Sequence, residues 1–556
     1  MTAAKGELYV GLDVGSQSVK LLVFEPQTQR IVALHGQPLQ MSAGEDGSRE
    51  QRAEWWIDAI RACFSRLSAF VRGRVVAIGV SGQQHGLVAL DAAGKVLAPV
   101  KLWCDTSTQQ ECAEIMQAVG GARACVSLAG NPILAGYTAS KVSWTRKHRP
   151  EAYARLHTIL LPHDYVNFWL TGERWMEFGD ASGTGWLDVR SRTWSEALLQ
   201  ATAPERDLRR CLPPLLPPDA GFPLAPTSAE ELGLPRHVRV SVGGGDNMMA
   251  AIGTGNVAPG VLSMSLGSSG TLFTCAERPV VDDAAGWAAF CSSTGGWLPL
   301  VCTMNCTLAT ESIARAFGFS SRHGDALLAA PRPGANGLTL LPFFNGERTP
   351  DLPQARAALF GMDANNLDAA NAYRAAMEGA TFALRYGFDA LHAAGLAFDS
   401  IRLTGGGSNS PVWRQMVADV FDLPVDVPEQ SEGAAFGAAL QALWSQRRAE
   451  RDRAGTRTPR SAALSASAGG SERGLSQPLP PLSRMARLHA PHACDHAHQR
   501  RPTLKRGALH LKPQGHPPCT APTSAPASSS PASAASPSRG GSRTTRWRSS
   551  TTTRRA

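Results

Sequence analysis

Two hairpin-like segments with the same pattern, about 250 residues apart, narrow the ways in which this chain can fold. Residues 8–25 and 261–273 each consist of a β-prone apolar run, a turn of glycine and serine, and a second β-prone run. Small polar turns of this kind offer N–H groups and hydroxyls to phosphate oxygens or to a hydrated metal ion. The repeat predicts an α/β protein with a duplicated fold and a cleft between its halves.

Another glycine turn follows a predicted strand and carries a single carboxylate. The apolar run 237–242 leads into the glycines 243–245, and Asp246 then begins a Met- and Ala-rich segment that predicts a helix. Glycines let the backbone approach a ligand closely and allow positive φ without steric cost. Asp246 is therefore either an ordinary cap of that helix or an acid placed beside a ligand.

Two further strand ends carry candidate binding residues. The predicted strand 75–80 ends in a loop where Gln84 and His85 stand between glycines. Ligands of open α/β sheets lie beyond the carboxyl ends of the strands, which favours a polyol site here over a packed loop histidine. The predicted strand 401–404 leads through the glycines 405–407 into a helix over 412–421, an arrangement typical of nucleotide binding.

An aromatic ring and a carboxylate stand two residues apart at Trp103 and Asp105. The apolar face of an aromatic ring can pack on the C–H faces of a sugar, and a carboxylate accepts hydrogen bonds from hydroxyls. A buried structural tryptophan is the alternative interpretation of this pair.

The length and the cysteine pattern restrict the class of protein. A chain of 556 residues is too long for one hydrophobic core, so at least two domains are expected. The N-terminus has no signal-peptide pattern, no uninterrupted apolar run reaches about 18 residues, and the 11 cysteines form no C-x-x-C pair. We therefore expect a reduced, cytoplasmic protein without a membrane partner.

The positive charge of the chain is concentrated at its C-terminal end. Residues 447–556 hold 20 Lys and Arg against 4 Asp and Glu, which leaves 35 against 42 for residues 1–446. The composition of this tail, without apolar periodicity, cannot bury enough surface to offset the entropy of ordering. We expect a disordered tail that binds no nucleic acid specifically, because Trp547 is its one aromatic residue.

Four motifs together resemble the FGGY carbohydrate kinases, within the superfamily of sugar kinases, actin and heat-shock chaperones. They are residues 11–15 (Gly-Leu-Asp-Val-Gly), 266–270 (Leu-Gly-Ser-Ser-Gly), 342–350 (Pro-Phe-Phe-Asn-Gly-Glu-Arg-Thr-Pro) and 405–409 (Gly-Gly-Gly-Ser-Asn). The resemblance implies two duplicated actin-like (ribonuclease H-like) ATPase domains with a cleft between them. It places a sugar-binding domain at 1–254, an ATP-binding domain at 255–446 and the basic tail at 447–556.

The resemblance also implies roles for individual residues, with ATP and Mg²⁺ as cofactors. Asp246 matches the catalytic base, and Asp13 matches the acid that organises the metal ion and the phosphates. The sugar-binding set is Gln84, His85, Trp103 and Asp105. The phosphate-binding set is Gly267, Ser268, Ser269, Gly270 and Thr271, and the residues flanking adenosine are Gly406, Gly407 and Asn409.

Within the family, the loop at 82–86, the segment 102–105 and the segment 180–184 are similar to those of the xylulose kinases. The implied reaction is phosphorylation of D-xylulose by ATP. The resemblance leaves open whether the protein forms a homodimer. Ser107 stands near a position where many relatives have arginine, so ribulose, fuculose and gluconate stay alternative substrates. A non-enzymatic member of the superfamily, filament-forming or chaperone-like, is the alternative of a different class.

The helical pattern of the family stops abruptly after residue 446. We interpret this as an altered reading frame near residues 446–460. An altered frame would remove the last helices of the second domain and would impair stability or catalysis.

Overall fold

The computed structural model describes residues 6–284, 286–328, 332–429 and 432–453. Residues 454–556, which make up most of the predicted tail, lie outside them. Two mixed β-sheets with helices on their faces form the described structure.

The first sheet contains seven strands in the described residues. They are β1 (Leu8–Val14), β2 (Ser18–Glu25), β3 (Arg30–Pro38), β4 (Val75–Gly82), β5 (Gly221–Pro223), β6 (Arg239–Ser241) and β7 (Gly244–Gly245). The strand order is β5–β6–β4–β1–β2–β3, and β7 also pairs with β4. The predicted hairpin 8–25 is confirmed as the antiparallel pair β1 and β2, and β4 pairs in parallel with β1.

The second sheet contains six strands in the described residues. They are β8 (Gly260–Leu266), β9 (Gly270–Thr274), β10 (Ala288–Cys291), β11 (Trp297–Thr303), β12 (Phe398–Thr404) and β13 (Val425–Asp426). The order is β10–β11–β9–β8–β12–β13.

The two sheets share one topology, as the repeated hairpins predict. In the first sheet, β3–β2–β1 is antiparallel and β1–β4–β6 is parallel. In the second sheet, β11–β9–β8 is antiparallel and β8–β12–β13 is parallel. The predicted duplicated fold is therefore confirmed by strand order and by strand direction.

Helices cover both sheets and fill the insertion between β4 and β5. They are α1 (Ala53–Ser65), α2 (Ala69–Arg72), α3 (Gln109–Ala118), α4 (Ala122–Ala129), α5 (Thr138–His148), α6 (Pro150–Arg155), α7 (Pro162–Thr171), α8 (Phe178–Ala181), α9 (Glu196–Thr202), α10 (Pro226–Leu232), α11 (Asp246–Gly253), α12 (Thr307–Ala316), α13 (Gly324–Leu327), α14 (Ala369–Ala393), α15 (Pro411–Phe421) and α16 (Gly433–Arg453). Short 3₁₀ turns span Leu208–Cys211, Ser321–His323, Ala335–Gly337 and Gly406–Asn409.

Five small sheets complete the strand inventory of the described residues. They are Ser42–Ala43 with Arg49–Gln51 and Val100–Lys101, Val88–Leu90 with Thr158–Leu160, Met176–Glu177 with Leu215–Leu216, Leu187–Asp188 with Thr193–Trp194, and Thr339–Leu341 with Ala358–Phe360.

Each sheet has its own apolar core. One face of the first sheet packs against α1, α7 and α10, and α1 contributes buried side chains at helical spacing, including Trp56, Ile60 and Phe64. The second sheet packs against α12, α14 and α15. Burial of these faces is the main force that stabilises both sheets.

The helix α16 packs on the first sheet, although it follows the second sheet in sequence. Its buried residues, among them Phe436 and Leu443, share a core with Tyr9 of β1 and Met249 of α11. The approach is close: a Cβ on Gly437 would lie 1.8 Å from the carbonyl oxygen of Met249. Small residues therefore allow α16 to lie directly against α11.

The helix α16 also continues seven residues beyond the predicted start of the tail. Arg447 forms ion pairs with Glu7 (3.0 Å) and with Glu450 (3.1 Å). These ion pairs hold the polar end of α16 next to the N-terminal part of the chain. The periodicity of apolar residues cannot indicate such polar contacts.

Among the described helices, none is long and apolar enough to cross a bilayer.

Candidate active site

The carboxyl ends of neighbouring strands bring both predicted acids to one edge of the first sheet. Asp13 of β1 stands opposite Ser81 of β4, and Gly244 of β7 stands opposite Ser81 on the other side. The helix α11 begins at Asp246, immediately after β7. The two acids therefore flank the strand that leads into the predicted sugar loop, residues 82–86.

Asp246 has an environment that suits proton transfer near neutral pH. One carboxylate oxygen accepts hydrogen bonds from the backbone N–H of Asn247 (2.7 Å) and from its side-chain amide (3.0 Å). Burial raises the pKa of Asp246, the negative charges of Asp13 and Asp180 add to this effect, and the pKa reaches about 7. A base with a pKa close to the working pH is what general-base catalysis requires.

The glycine turn lets this acid lie against the sugar loop. Gly243 has φ +78°, which a residue with a side chain rarely adopts. A Cβ on Gly245 would lie 2.8 Å from the side chain of Gln84, and a Cβ on Gly244 would lie 2.4 Å from the hydroxyl of Ser293. Larger residues at either position would force the turn away from its neighbours.

Asp13 lies beside the cavity without lining it. The hydroxyl of Ser81 donates to its Oδ1 (3.0 Å), and burial raises the pKa of Asp13 to about 6. Among the described residues, neither Asp13 nor Asp246 forms an ion pair with a basic side chain. Two neighbouring carboxyl groups thus share a poorly compensated negative charge.

The predicted sugar loop faces Asp246. The side-chain amide of Asn247 donates to Oε1 of Gln84 (2.9 Å), which connects this loop to α11. The centroid of the His85 ring lies 4.8 Å from that of the Tyr137 ring and 5.7 Å from that of the Phe290 ring. Burial, followed by the positive charges of Lys141 and Arg348, lowers the pKa of His85 to about 3, so the ring is neutral at physiological pH.

Lys141 hydrogen-bonds the backbone of the predicted sugar loop. This fully buried lysine donates to the carbonyl oxygens of His85 (2.7 Å) and Gly136 (2.6 Å). The hydroxyl of Thr138 also donates to the His85 carbonyl (3.1 Å). These hydrogen bonds stabilise His85 at φ +66°, a conformation that is unfavourable for a residue with a side chain.

Trp103 and Asp105 have different surroundings. Trp103 is 38% exposed and lines the cavity. Asp105 is fully buried and accepts hydrogen bonds from Lys101 Nζ (3.1 Å) and from the backbone N–H and hydroxyl of Ser107 (3.0 and 2.6 Å). The structure does not bring Asp105 to the cavity, because these partners already hold its carboxylate inside the protein.

Two predicted nucleotide turns, the first at residues 267–271 and the second at residues 405–409, lie side by side at the edge of the second sheet. Ser265 of β8 stands opposite Thr404 of β12, so the turns that follow both strands are neighbours. A Cβ on Gly405, which has φ +83°, would lie 2.6 Å from the backbone of Leu266. The carbonyl oxygen of Gly267 accepts the N–H of Thr307, at the start of α12 (2.9 Å).

A cavity of about 340 Å³ lies between residues of the two sheets. Of the predicted site residues, it is lined by Gln84, His85, Trp103, Asp246, Gly267, Ser269 and Thr271. The predicted residues that do not line it are Asp13, Asp105, Ser268, Gly270, Gly406, Gly407 and Asn409. The acid, the sugar loop and the first nucleotide turn therefore meet in one cavity.

Sequence reasoning did not single out several cavity residues as binding residues. Among them are Asn131, Tyr137, Asn247, Phe290, Cys302 and Arg348. Arg348 belongs to the segment 342–350, so its position in a family motif was the available signal. Tyr137 and Phe290 reach the cavity through tertiary packing, for which the local sequence carries no signal.

Family models match most of the described chain. The N-terminal domain of the FGGY family of carbohydrate kinases matches residues 8–253, and its C-terminal domain matches residues 262–446. The chain belongs to the FGGY family of carbohydrate kinases, whose members use ATP.

The most similar relatives that we found are called xylulose kinases. The chain is 42% identical to the xylulose kinase of Haemophilus influenzae over 446 residues, which is 79% of this chain and 90% of that protein. It is 34% identical to the xylulose kinase of Escherichia coli over 78% and 89% of the two chains. A solved structure of a xylulose kinase from Brucella ovis matches with a TM-score of 0.75 at 33% identity, over 79% and 91% of the chains.

Proposed function

We propose that this protein transfers the γ-phosphoryl group of ATP to D-xylulose, which yields ADP and D-xylulose 5-phosphate. The observation that carries the proposal is the position of Asp246. This acid, with a pKa of about 7, lines one cavity together with the sugar loop and the turn at 267–271. The relatives called xylulose kinases support the choice of sugar.

In this mechanism Asp246 is the general base. A sugar hydroxyl is a weak nucleophile at neutral pH, and Asp246 accepts its proton while the oxygen forms a bond to the γ-phosphorus. The bond between that phosphorus and the β–γ bridging oxygen breaks, and ADP leaves with the bond electrons. Asp246 then releases the proton to solvent. General-base assistance of this kind contributes roughly 10²–10⁴-fold.

The sugar side of the cavity combines neutral polar groups with aromatic faces. The neutral His85 ring can both donate and accept a hydrogen bond, which suits sugar hydroxyls better than a charged group does. Trp103 and Phe290 offer ring faces to the C–H surface of the sugar. We infer that Asp105 supports the turn beside Trp103 and does not contact the sugar itself, because its oxygens are already hydrogen-bonded.

The nucleotide side is formed by the second sheet. Gly267–Thr271 offer a small polar turn for the β- and γ-phosphates, and Gly406, Gly407 and Asn409 flank the adenosine in our proposal. The chain then divides into a sugar-binding part (1–254) and an ATP-binding part (255–446). Phosphoryl transfer depends mainly on positioning and on neutralisation of charge, so the cleft between these parts is where the reaction takes place.

The poorly compensated charge of Asp13 and Asp246 fits a divalent cation. Mg²⁺ binds few protein carboxylates and keeps several waters, so one or two acids beside the phosphates suffice. The described residues contain no cluster of three or more His, Cys, Asp or Glu side chains that could hold a metal on their own. Asp13 would hold the hydrated ion, and the ion would neutralise the phosphate charge during transfer.

A panel of sugars tests the substrate. ADP release is measured with D-xylulose, ribulose, fuculose, gluconate and glycerol at equal concentrations. We expect the highest kcat/KM with D-xylulose. A higher kcat/KM with another sugar would reassign the substrate within the family, and ADP release that no sugar stimulates would contradict the proposed activity.

A further inference from the structure

A glutamine near the end of the described chain is hydrogen-bonded to the turn that precedes Asp246. Gln441 of α16 is fully buried and does not line the cavity. Its Oε1 accepts hydrogen bonds from the backbone N–H of Gly243 and from the hydroxyl of Ser241, both at 2.9 Å. Its Nε2 donates to the carbonyl oxygen of Gly243, also at 2.9 Å. One side chain thus binds both backbone groups of one residue, 198 positions earlier in the sequence.

Gly243, the residue that Gln441 binds, is where the turn between β6 and β7 changes direction. Gly243 has φ +78°, between the end of β6 and the start of β7, and Asp246 follows three residues later. The adjacent carbonyl of Val242 is bound from the other side by the Asn167 amide (2.8 Å) and the Trp175 indole (3.0 Å). The backbone is therefore held from two sides immediately before the acid.

We propose that Gln441 is a positioning residue that keeps the turn at 243–245, and with it Asp246, in place for phosphoryl transfer. The inference rests on the proposed role of Asp246. It also assigns a function in the reaction to α16, a helix that touches neither predicted substrate. A small displacement of a reacting group lowers turnover strongly, since about 1 Å can cost roughly 100-fold.

The chemistry of the amide explains why an apolar side chain of the same size cannot replace it. A single amide offers one acceptor and one donor side by side, which matches the N–H and C=O of Gly243. Methionine at this position fills the same volume but leaves both backbone groups and the Ser241 hydroxyl without this partner. Buried polar groups that lose a partner are costly, so the turn would shift to find another one.

The test compares Gln441→Met with two substitutions in the same helix. Gln446→Met makes the same chemical change at a residue that hydrogen-bonds Glu450 (3.0 Å) and not the turn. Leu443→Ala removes buried apolar surface from the core shared with the first sheet. The measurements are kcat, KM for D-xylulose and ATP, the midpoint of thermal unfolding, and amide hydrogen exchange of a peptide covering 241–246.

We expect Gln441→Met to lower kcat at least about tenfold, with KM for ATP within about twofold, and to speed exchange across 241–246. Gln446→Met should change none of these quantities. Leu443→Ala should lower the unfolding midpoint and leave the kcat of the folded enzyme within about twofold. If Gln441→Met keeps its kcat, or if Leu443→Ala loses as much kcat at a comparable thermal shift, the inference is wrong.

Hydrogen exchange separates this inference from the proposed function. If Asp246→Asn keeps full turnover, the role of Asp246 fails, yet faster exchange in Gln441→Met would still show that Gln441 holds the turn. If Asp246→Asn is inactive while Gln441→Met matches the wild type in kcat and exchange, only the inference fails. Should Gln441→Met not fold, Ser241→Ala removes one of the three hydrogen bonds and is expected to lower kcat about two- to fivefold. An unchanged kcat and exchange rate in that variant would overturn the inference.

Discussion

Asp246 changes its charge close to physiological pH, because burial raises its pKa to about 7. A carboxyl group with a raised pKa is protonated below that value and can then no longer accept a proton. The negative charge of Asp13, whose own pKa is about 6, raises the pKa of Asp246, so the two acids titrate as a coupled pair.

We therefore predict an acid limb in the pH dependence of kcat/KM for the sugar. Activity should decline as the pH falls below about 7, because the fraction of ionised Asp246 declines. The check is a pH–rate profile from pH 5 to 9, with samples incubated at each pH and then assayed at pH 8 to exclude unfolding. A profile that stays flat down to pH 5 would contradict the assignment of this base.

His85 should act on sugar binding and not on ATP binding. We expect His85→Ala to raise KM for D-xylulose at least about threefold, the value of one neutral hydrogen bond, and to leave KM for ATP within about twofold. His392→Ala, at the exposed end of α14, is the matched control. An equal rise of both KM values would show that His85 does not belong to the sugar site.

At the residue scale, sequence patterns indicated those site residues that follow a strand directly. These residues are Asp246, Gln84 and His85. They lie in glycine turns, and local backbone preferences decide where such turns form. Lys141 and Gln441 act on residues 56 and 198 positions away, and such contacts exist only after folding. Asp105 was expected at the sugar, but Lys101 and Ser107 hold it inside the protein.

At the scale of elements, the strand–turn units were predicted well and the position of α16 was not. The hairpins β1–β2 and β8–β9 combine β-prone runs with glycine and serine turns, which local preferences specify. The apolar and small residues of α16 predict a buried helix but do not say which sheet it covers. The glycines that allow α16 to approach closely lie in β1, β4 and α11.

The close contact between α16 and α11 gives a direct prediction for stability. Gly437→Ala would place a Cβ 1.8 Å from the Met249 carbonyl oxygen, so the helices must separate. Overpacking of this kind typically costs about 1–3 kcal/mol, and the midpoint of thermal unfolding should fall. Gly433→Ala, in the first turn of the same helix, meets its nearest atom at 3.4 Å and should leave the midpoint unchanged or higher. A similar midpoint for both variants would contradict the packing.

At the scale of the whole molecule, the predicted sugar loop and the first predicted nucleotide turn belong to different sheets and line one cavity. Closure of the cleft over both substrates would exclude water and limit wasteful hydrolysis of ATP. A filament-forming or chaperone-like member of the superfamily needs no sugar for its ATP cycle.

We predict that D-xylulose stimulates ADP release from ATP at least about tenfold over the rate without sugar. The measurement is a coupled assay at saturating ATP, with and without the sugar, and glycerol at the same concentration as the control. An ADP-release rate that D-xylulose does not change would favour the non-enzymatic class.

Removal of the proton from the sugar hydroxyl by Asp246 is tested by the turnover of Asp246→Asn with D-xylulose and ATP. Asparagine keeps the size and much of the hydrogen bonding of the residue but cannot act as a base. The matched control is Asp368→Asn, which changes the cap of α14, where the aspartate accepts the N–H of Asn371 (2.8 Å). We predict that Asp246→Asn folds with an unchanged unfolding midpoint and loses at least about 100-fold in kcat, while Asp368→Asn keeps its kcat. Turnover of Asp246→Asn close to that of the wild type would contradict the role of Asp246 as the general base.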